Sequence, residues 1–218
     1  MAAFIRANTT VAAPPLVPEI RLHLASEITP IWHATEDVLA QVGVPPPFWA
    51  FCWPGGQALA RFIIDHPERI KGRRVLDFAA GCGIAAIAAA RTGASVEASD
   101  IDAMAVVAMR INAALNGVRF AASACDLADV NDGRWDAVLA GDVFYERPFA
   151  ERIWPWFQAL AAAGVDVLVA DPGRAYLPTA GMLRLITYAV PTTTELEDRD
   201  VRETSVWKVV AQVASLRR

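Results

Sequence analysis

Val75-Leu76-Asp77-Phe78-Ala79-Ala80-Gly81-Cys82-Gly83 decides the fold. An apolar strand runs into an acidic residue, then a glycine turn, then the run Ile84 to Arg91, which reads as a helix. Strand, turn and helix in that order form a cradle for a nucleotide-like cofactor. The glycines let backbone approach the ligand, and the helix N-terminus offers unpaired N–H groups and the positive end of its dipole. A second acid, Asp100, closes the next strand, Ser95-Val96-Glu97-Ala98-Ser99. A carboxylate about twenty residues past the glycine turn stands where ribose hydroxyls are accepted. A strand–helix turn with incidental glycines would leave both acids unexplained.

Two cofactors fit the turn itself. Gly81-x-Gly83-x-x-Ala86 matches the dinucleotide pattern, which tolerates alanine at its third position. Asp77, however, ends the strand ahead of the glycines. A carboxylate there repels a pyrophosphate and holds a cationic amino group. S-adenosylmethionine carries such an amino group, has no phosphates, and brings a ribose for Asp100. The charge placement therefore favours S-adenosylmethionine.

The chain has 218 residues, a net charge of −4, 55% hydrophobic and 20% charged residues. That length suits one domain with a full α/β core. The expected division is an N-terminal extension and lid segment over 1–56 and a core over 57–218, with monomeric behaviour. The acidic balance argues against a general nucleic-acid binder, which carries a basic face. No apolar run approaches the roughly 20 residues of a membrane span. Cys52, Cys82 and Cys125 form no C-x-x-C pair, so neither a disulfide frame nor a zinc site is expected, and a reducing cytoplasmic setting is. Cys82 reads as a small side chain tucked under the cofactor. His23, His33 and His66 share no spacing and read as structural or surface residues.

Prolines at 14–15 and 45–47 bracket a helical region in which Ile28, Trp32 and Leu39 are apolar and Glu27, Glu36 and Asp37 solvated. The Pro45 to Pro47 run predicts an extended path through Phe48 to Phe51. Trp53-Pro54-Gly55-Gly56 reads as a turn, and Gln57 to Asp65 as a helix. From Val75 strands and helices alternate, which predicts a mostly parallel sheet covered on both faces. Asp102 is placed to N-cap the helix that ends at Asn116-Gly117. Further strands are read at Phe120–Cys125, at Ala137–Asp142 and at Asp166–Ala170, with a helix over Phe149–Ala162 before the last. The β-branched runs Leu185–Thr194 and Ser205–Val213 have no room for a crossover helix between them, which predicts an antiparallel hairpin.

Ligands of open α/β sheets bind outside the carboxyl ends of the strands. Those ends carry Asp77, Asp100, Asp126, Asp142 and Asp171, a rim suited to a cationic ligand or substrate. Asp126 is the weaker cofactor candidate, and Leu127 beside it is placed to cover an adenine face. Asp142-Val143-Phe144-Tyr145 is the substrate-side candidate: a carboxylate and a phenol that line an amine channel, or a packed aromatic at a helix start. Trp53 either lids the cofactor or anchors the N-terminal segment. The Glu195 to Glu203 stretch reads as a solvated hairpin tip.

With these residues in view, the chain resembles a class I, seven-β-strand, Rossmann-like methyltransferase, of the group containing the electron transfer flavoprotein β-subunit lysine methyltransferases. The likeness runs through Pro18 to Leu24, Phe48 to Leu59, Val75 to Gly83, Ser99-Asp100-Ile101-Asp102, Gly141 to Tyr145 and Asp171-Pro172-Gly173-Arg174. Ala79 departs from it, since many methyltransferases have glycine there. The resemblance implies that Trp53, Asp77, Gly81, Asp100 and Gly141 contact S-adenosylmethionine, and Gly83 and Ile101 are further cofactor-binding candidates beside them. It also implies that Asp142 and Tyr145 form an Asp-x-x-Tyr element beside a target amine. The expected reaction is metal-free lysine N-methylation of the flavoprotein β subunit. Nicotinamide, held in a slot of Trp49, Trp53 and Tyr145, and a lysine of another protein such as a ribosomal one remain open as acceptors.

Overall fold

The computed structural model describes residues 1–25, 46–192 and 197–211. The expected helix carrying Ile28, Trp32 and Leu39, with His33, lies outside the described residues. The sheet is built around β3 (Arg74–Phe78), β4 (Ser95–Ser99), β5 (Ala121–Ser123), β6 (Ala137–Gly141) and β7 (Asp166–Asp171), all parallel. β8 (Met182–Pro191) and β9 (Val201–Val209) add an antiparallel hairpin, giving seven strands in the order β5-β4-β3-β6-β7-β9-β8. The mostly parallel sheet and terminal hairpin agree with the sequence reading.

Parallel strands buried on both faces need near-continuous apolar runs, which Val75-Leu76 and Val167 to Ala170 supply. Alternate residues serve opposite cores. Val75, Leu139, Leu168 and Ala170 face one cluster, with α2 (Pro54–Asp65), α3 (Ile84–Arg91) and α4 (Ala103–Leu115). Leu76, Phe78, Val138 and Val169 face the other, under α5 (Arg147–Ala162). Asp102 caps α4 as expected, accepting from the Met104 N–H at 2.7 Å.

Four local readings are corrected. Phe48–Ala50 is a 3₁₀ turn, not extended chain. Helix α2 starts at Pro54, so the proline and both glycines form its first turn rather than a turn before it. Proline suits that position, because its missing N–H has no helical partner there. The third strand is only Ala121–Ser123. The acidic stretch is no simple solvated tip: Glu197 is buried, and Val201 to Glu203 already belong to β9.

The N-terminal segment adds a short helix Ala2–Ala7 and the ribbon β1 (Thr10–Ala12) with β2 (Leu22–Leu24). Asn112, fully buried on α4, fastens the ribbon to the glycine turn. Its Oδ1 accepts from the His23 N–H at 2.8 Å, and its Nδ2 donates to the Cys82 carbonyl at 2.9 Å. Among the described residues no helix is long and apolar enough to cross a membrane.

Candidate active site

The rim at the carboxyl ends of the strands has two halves. On the first, the glycine turn after β3 meets the end of β4. Gly81 and Gly83 take φ of +53° and +79°, the left-handed region where glycine carries no Cβ penalty. Ala79 also lies there, at φ +53°. Gly81 donates its N–H to Asp100 Oδ2 at 3.0 Å, and Asp100 Oδ1 accepts from the Asp102 N–H at 3.0 Å. A Cβ at Gly83 would come within 2.9 Å of Met109 Cγ, so that glycine also lets α3 and α4 pack closely.

Asp77 is buried, and its Oδ2 accepts from the Ala86 N–H in the first turn of α3 at 2.7 Å. Burial pushes its pKa up to about 8, against the Ala86 N–H, and the charge of Asp100 pushes the same way. Asp100 is itself raised, mainly by burial. Two neighbouring carboxyls whose ionised forms are both disfavoured fit a ligand that brings a cation. A Cβ on Gly81 would find nothing closer than Trp49 Cα at 4.0 Å, so the turn leaves a ligand room. Ile101 beside it is 79% exposed, an apolar side chain for a ligand to cover. These residues fit the ammonium, ribose and adenine of S-adenosylmethionine.

The second half joins β6, β7 and the start of α2. Helix α2 crosses so close to the strand ends that a Cβ on Gly141 would lie 2.8 Å from the Gly56 nitrogen. Asp142, at φ +56°, turns its carboxylate into the helix N-terminus. Its Oδ2 accepts from Gly55 and Gly56 N–H at 2.6 and 3.3 Å, and its Oδ1 from Arg174 Nη2 and Nε at 2.8 and 3.2 Å. Burial raises the Asp142 pKa while Arg174 opposes it. All four contacts are donors, which favours the carboxylate form. Arg174 also reaches Glu197 and lies over the Trp53 ring, 5.7 Å from its centroid.

Aromatic rings bridge the halves. Phe48 stands 5.7 Å from Tyr145 and 6.0 Å from Trp53, and Tyr145 is 6.4 Å from Phe149. Tyr145 is 42% exposed, and burial of the rest of it, with the charges of Glu146 and Asp100, raises its pKa. It is therefore a protonated phenol at neutral pH, a hydrogen-bonding group and not a base.

Three expected positions differ. Trp49 is a core residue, and the exposed Phe48 takes the rim place foreseen for it. Leu127 is buried among the residues under α5, and Asp126 is drawn outward to Arg152 at 2.6 Å. Those side chains do not join the two halves of the rim. Sequence reasoning gave no role to Phe48, Arg174 or Glu197. Phe48 and Arg174 carried a signal only as members of the quoted stretches Phe48 to Leu59 and Asp171 to Arg174, and Glu197 carried none.

The chain is similar to known methyltransferases over nearly its whole length. The lysine methyltransferase of the electron transfer flavoprotein β subunit from Xenopus laevis is 37% identical over 212 residues, 94% of this chain and 85% of that one. The human protein of the same name is 33% identical over 94% of this chain and 80% of its own. The chain belongs to this methyltransferase family. It is a protein-lysine methyltransferase that uses S-adenosylmethionine. Residues 60–142 also match the family described as ribosomal protein L11 methyltransferase (PrmA). In architecture the chain is similar to magnesium protoporphyrin IX methyltransferase from Synechocystis, solved with bound SAM, at TM-score 0.52 and 18% identity, over 71% of this chain and 77% of that one.

Proposed function

We propose that the acceptor is a lysine of the electron transfer flavoprotein β subunit, and that Asp142 and Tyr145 place its amine. Similarity to enzymes named for that substrate over nearly the whole chain carries this reading. The likeness to ribosomal-protein enzymes speaks for a narrower region. The family model for those enzymes covers 60–142, the cofactor-side loops, and stops before Tyr145 and Arg174.

In this reading Asp77 holds the cofactor's ammonium, Asp100 its ribose, and Gly81, Gly83, Ile101, Trp53 and Gly141 shape the surrounding wall. Bound S-adenosylmethionine supplies an electrophilic methyl group. The protein's task is then in-line placement, with acceptor nitrogen and methyl carbon about 3–3.5 Å apart. A lysine ammonium, with pKa about 10.4, must shed its proton before attack. Carboxylates at the rim attract it as a cation. Asp142 acts through its charge and by fixing the loop after β6, since its oxygens are already committed to backbone N–H groups and Arg174. Tyr145 offers its phenol oxygen to an amine N–H, leaving the nitrogen lone pair for the methyl group, and the proton passes to solvent.

The test incubates the enzyme and labelled S-adenosylmethionine with the purified flavoprotein, with cell extract and with nicotinamide separately. Mass spectrometry is expected to place methyl groups on lysine of the β subunit. Label in nicotinamide alone, or only in another protein, would overturn the substrate assignment.

A further inference from the structure

A chain of charges links the β8–β9 connection to the acceptor side of the site. Arg202 Nε donates to Glu197 Oε2 at 3.0 Å, Arg174 Nη1 donates to the same oxygen at 3.1 Å, and Arg174 Nη2 donates to Asp142 Oδ1 at 2.8 Å. The Glu197 side chain is 1% exposed, those of Asp142 and Arg174 10% and 18%. Burying an acid this completely is costly unless its partners need it. Two acids and two arginines sum to zero. Without Glu197, a cation beside Trp53 and Asp142 would be left unbalanced where a lysine ammonium has to arrive.

We propose that Glu197 is a positioning and charge-balancing residue for the methyl acceptor: it neutralises Arg174, so that Asp142 stays fixed while the site remains open to a cationic side chain. The inference rests on Asp142 and Tyr145 marking the acceptor side. Its consequence is specific. Removing the Glu197 charge leaves Arg174 repelling the ammonium and lowering the pKa of any amine that does bind. The other titratable groups facing this cluster are Cys52, whose thiol burial pushes up, and Asp171 at the end of β7.

The test compares Glu197→Gln with wild type and with Glu197→Asp, which keeps the charge. In Glu197→Gln, KM for the protein acceptor is expected to rise about tenfold. The acid limb of the kcat–pH profile should move to lower pH, with affinity for S-adenosylhomocysteine unchanged. Glu197→Asp should return both values toward wild type. The double variant Arg174→Met/Glu197→Gln removes the uncompensated cation and should lower KM from the Glu197→Gln value without reaching wild type, because Asp142 loses its Arg174 donors. This also covers failure of the single variant to fold. A merely structural anchor would instead lower kcat with the limb in place and weaken cofactor binding in both Glu197 variants; that result, or an unchanged KM, overturns the proposal. Calorimetric titration of n-butylammonium into the S-adenosylhomocysteine complex needs no protein acceptor. Weaker binding to Glu197→Gln supports the inference and equal binding refutes it, even if wild type fails to methylate the flavoprotein and only the substrate assignment falls.

Discussion

At the residue scale, Tyr145 and Ala79 carry separable consequences. Tyr145 stays protonated and is 42% exposed at the rim, and in the proposed reading its hydroxyl serves the acceptor. Tyr145→Phe is expected to cut kcat about tenfold or more, because loosened alignment is costly in a placement-driven reaction. Affinity for S-adenosylhomocysteine and the melting temperature should stay near wild type. Steady-state kinetics beside a thermal melt check this, and undiminished turnover would remove Tyr145 from the site. Ala79 pays for its left-handed backbone at φ +53°. An L residue there costs about 1–2 kcal/mol, and glycine returns about 0.5–1 kcal/mol of that as unfolded-chain entropy. Ala79→Gly should therefore stabilise the protein by up to about 1 kcal/mol in urea melts. A drop in stability would mean that neighbouring contacts, not the backbone, hold the turn.

At the element scale, the first turn of α2 is packed directly against the ends of β6 and β7. A Cβ on Gly55 would lie 2.5 Å from Asp142 Oδ2 and 2.7 Å from the Asp142 nitrogen, with the Ala170 carbonyl also in the way. Backbone cannot retreat as a flexible side chain can, so Gly55→Ala should cost at least about 3 kcal/mol and depress activity, measured by chemical denaturation and turnover. A mild loss would show that α2 can slide along the sheet. This element also marks the limit of what the sequence could tell. The strand–glycine–helix unit was legible because its signals are local: α3 and β4 fall on the residues read for them. Asp102 was legible as a cap for the same reason. Gly55 and Gly56 looked like a turn, because the reason for them lies 85 or more residues away in Asp142 and the end of β6. Glu197 looked solvated for a similar reason. Nothing next to it in sequence reveals that Arg174 and Arg202 enclose it. Leu127 was misplaced because it follows β5, a strand of only three residues, too short to fix which face the next side chain takes.

At the scale of the whole molecule, a rim of buried acids makes the protein's stability depend on pH and on its ligand. Burial pushes Asp77 from 3.8 up to about 8 and Asp171 up to about 7. An acid whose pKa is raised by folding favours the folded state while protonated. Its contribution is complete below the unfolded pKa near 4 and is lost as pH rises through 7 to 8. Asp136 works in the opposite sense: paired with Arg74 and lowered to about 2, it favours the folded state above pH 4 and is lost only toward pH 2. His23, lowered by burial, also gains with rising pH, so the net slope is not evidence for Asp77 by itself. The comparison with Asp77→Asn isolates it, because the amide cannot ionise. Urea midpoints of the ligand-free wild type should fall from pH 5 to pH 8 more steeply than those of Asp77→Asn. Saturating S-adenosylhomocysteine, whose ammonium is expected beside Asp77, should flatten the wild-type slope and leave that of the variant almost unchanged. Parallel slopes in wild type and variant, with and without ligand, would show that Asp77 does not carry the titrating proton and that the cofactor's ammonium is held elsewhere.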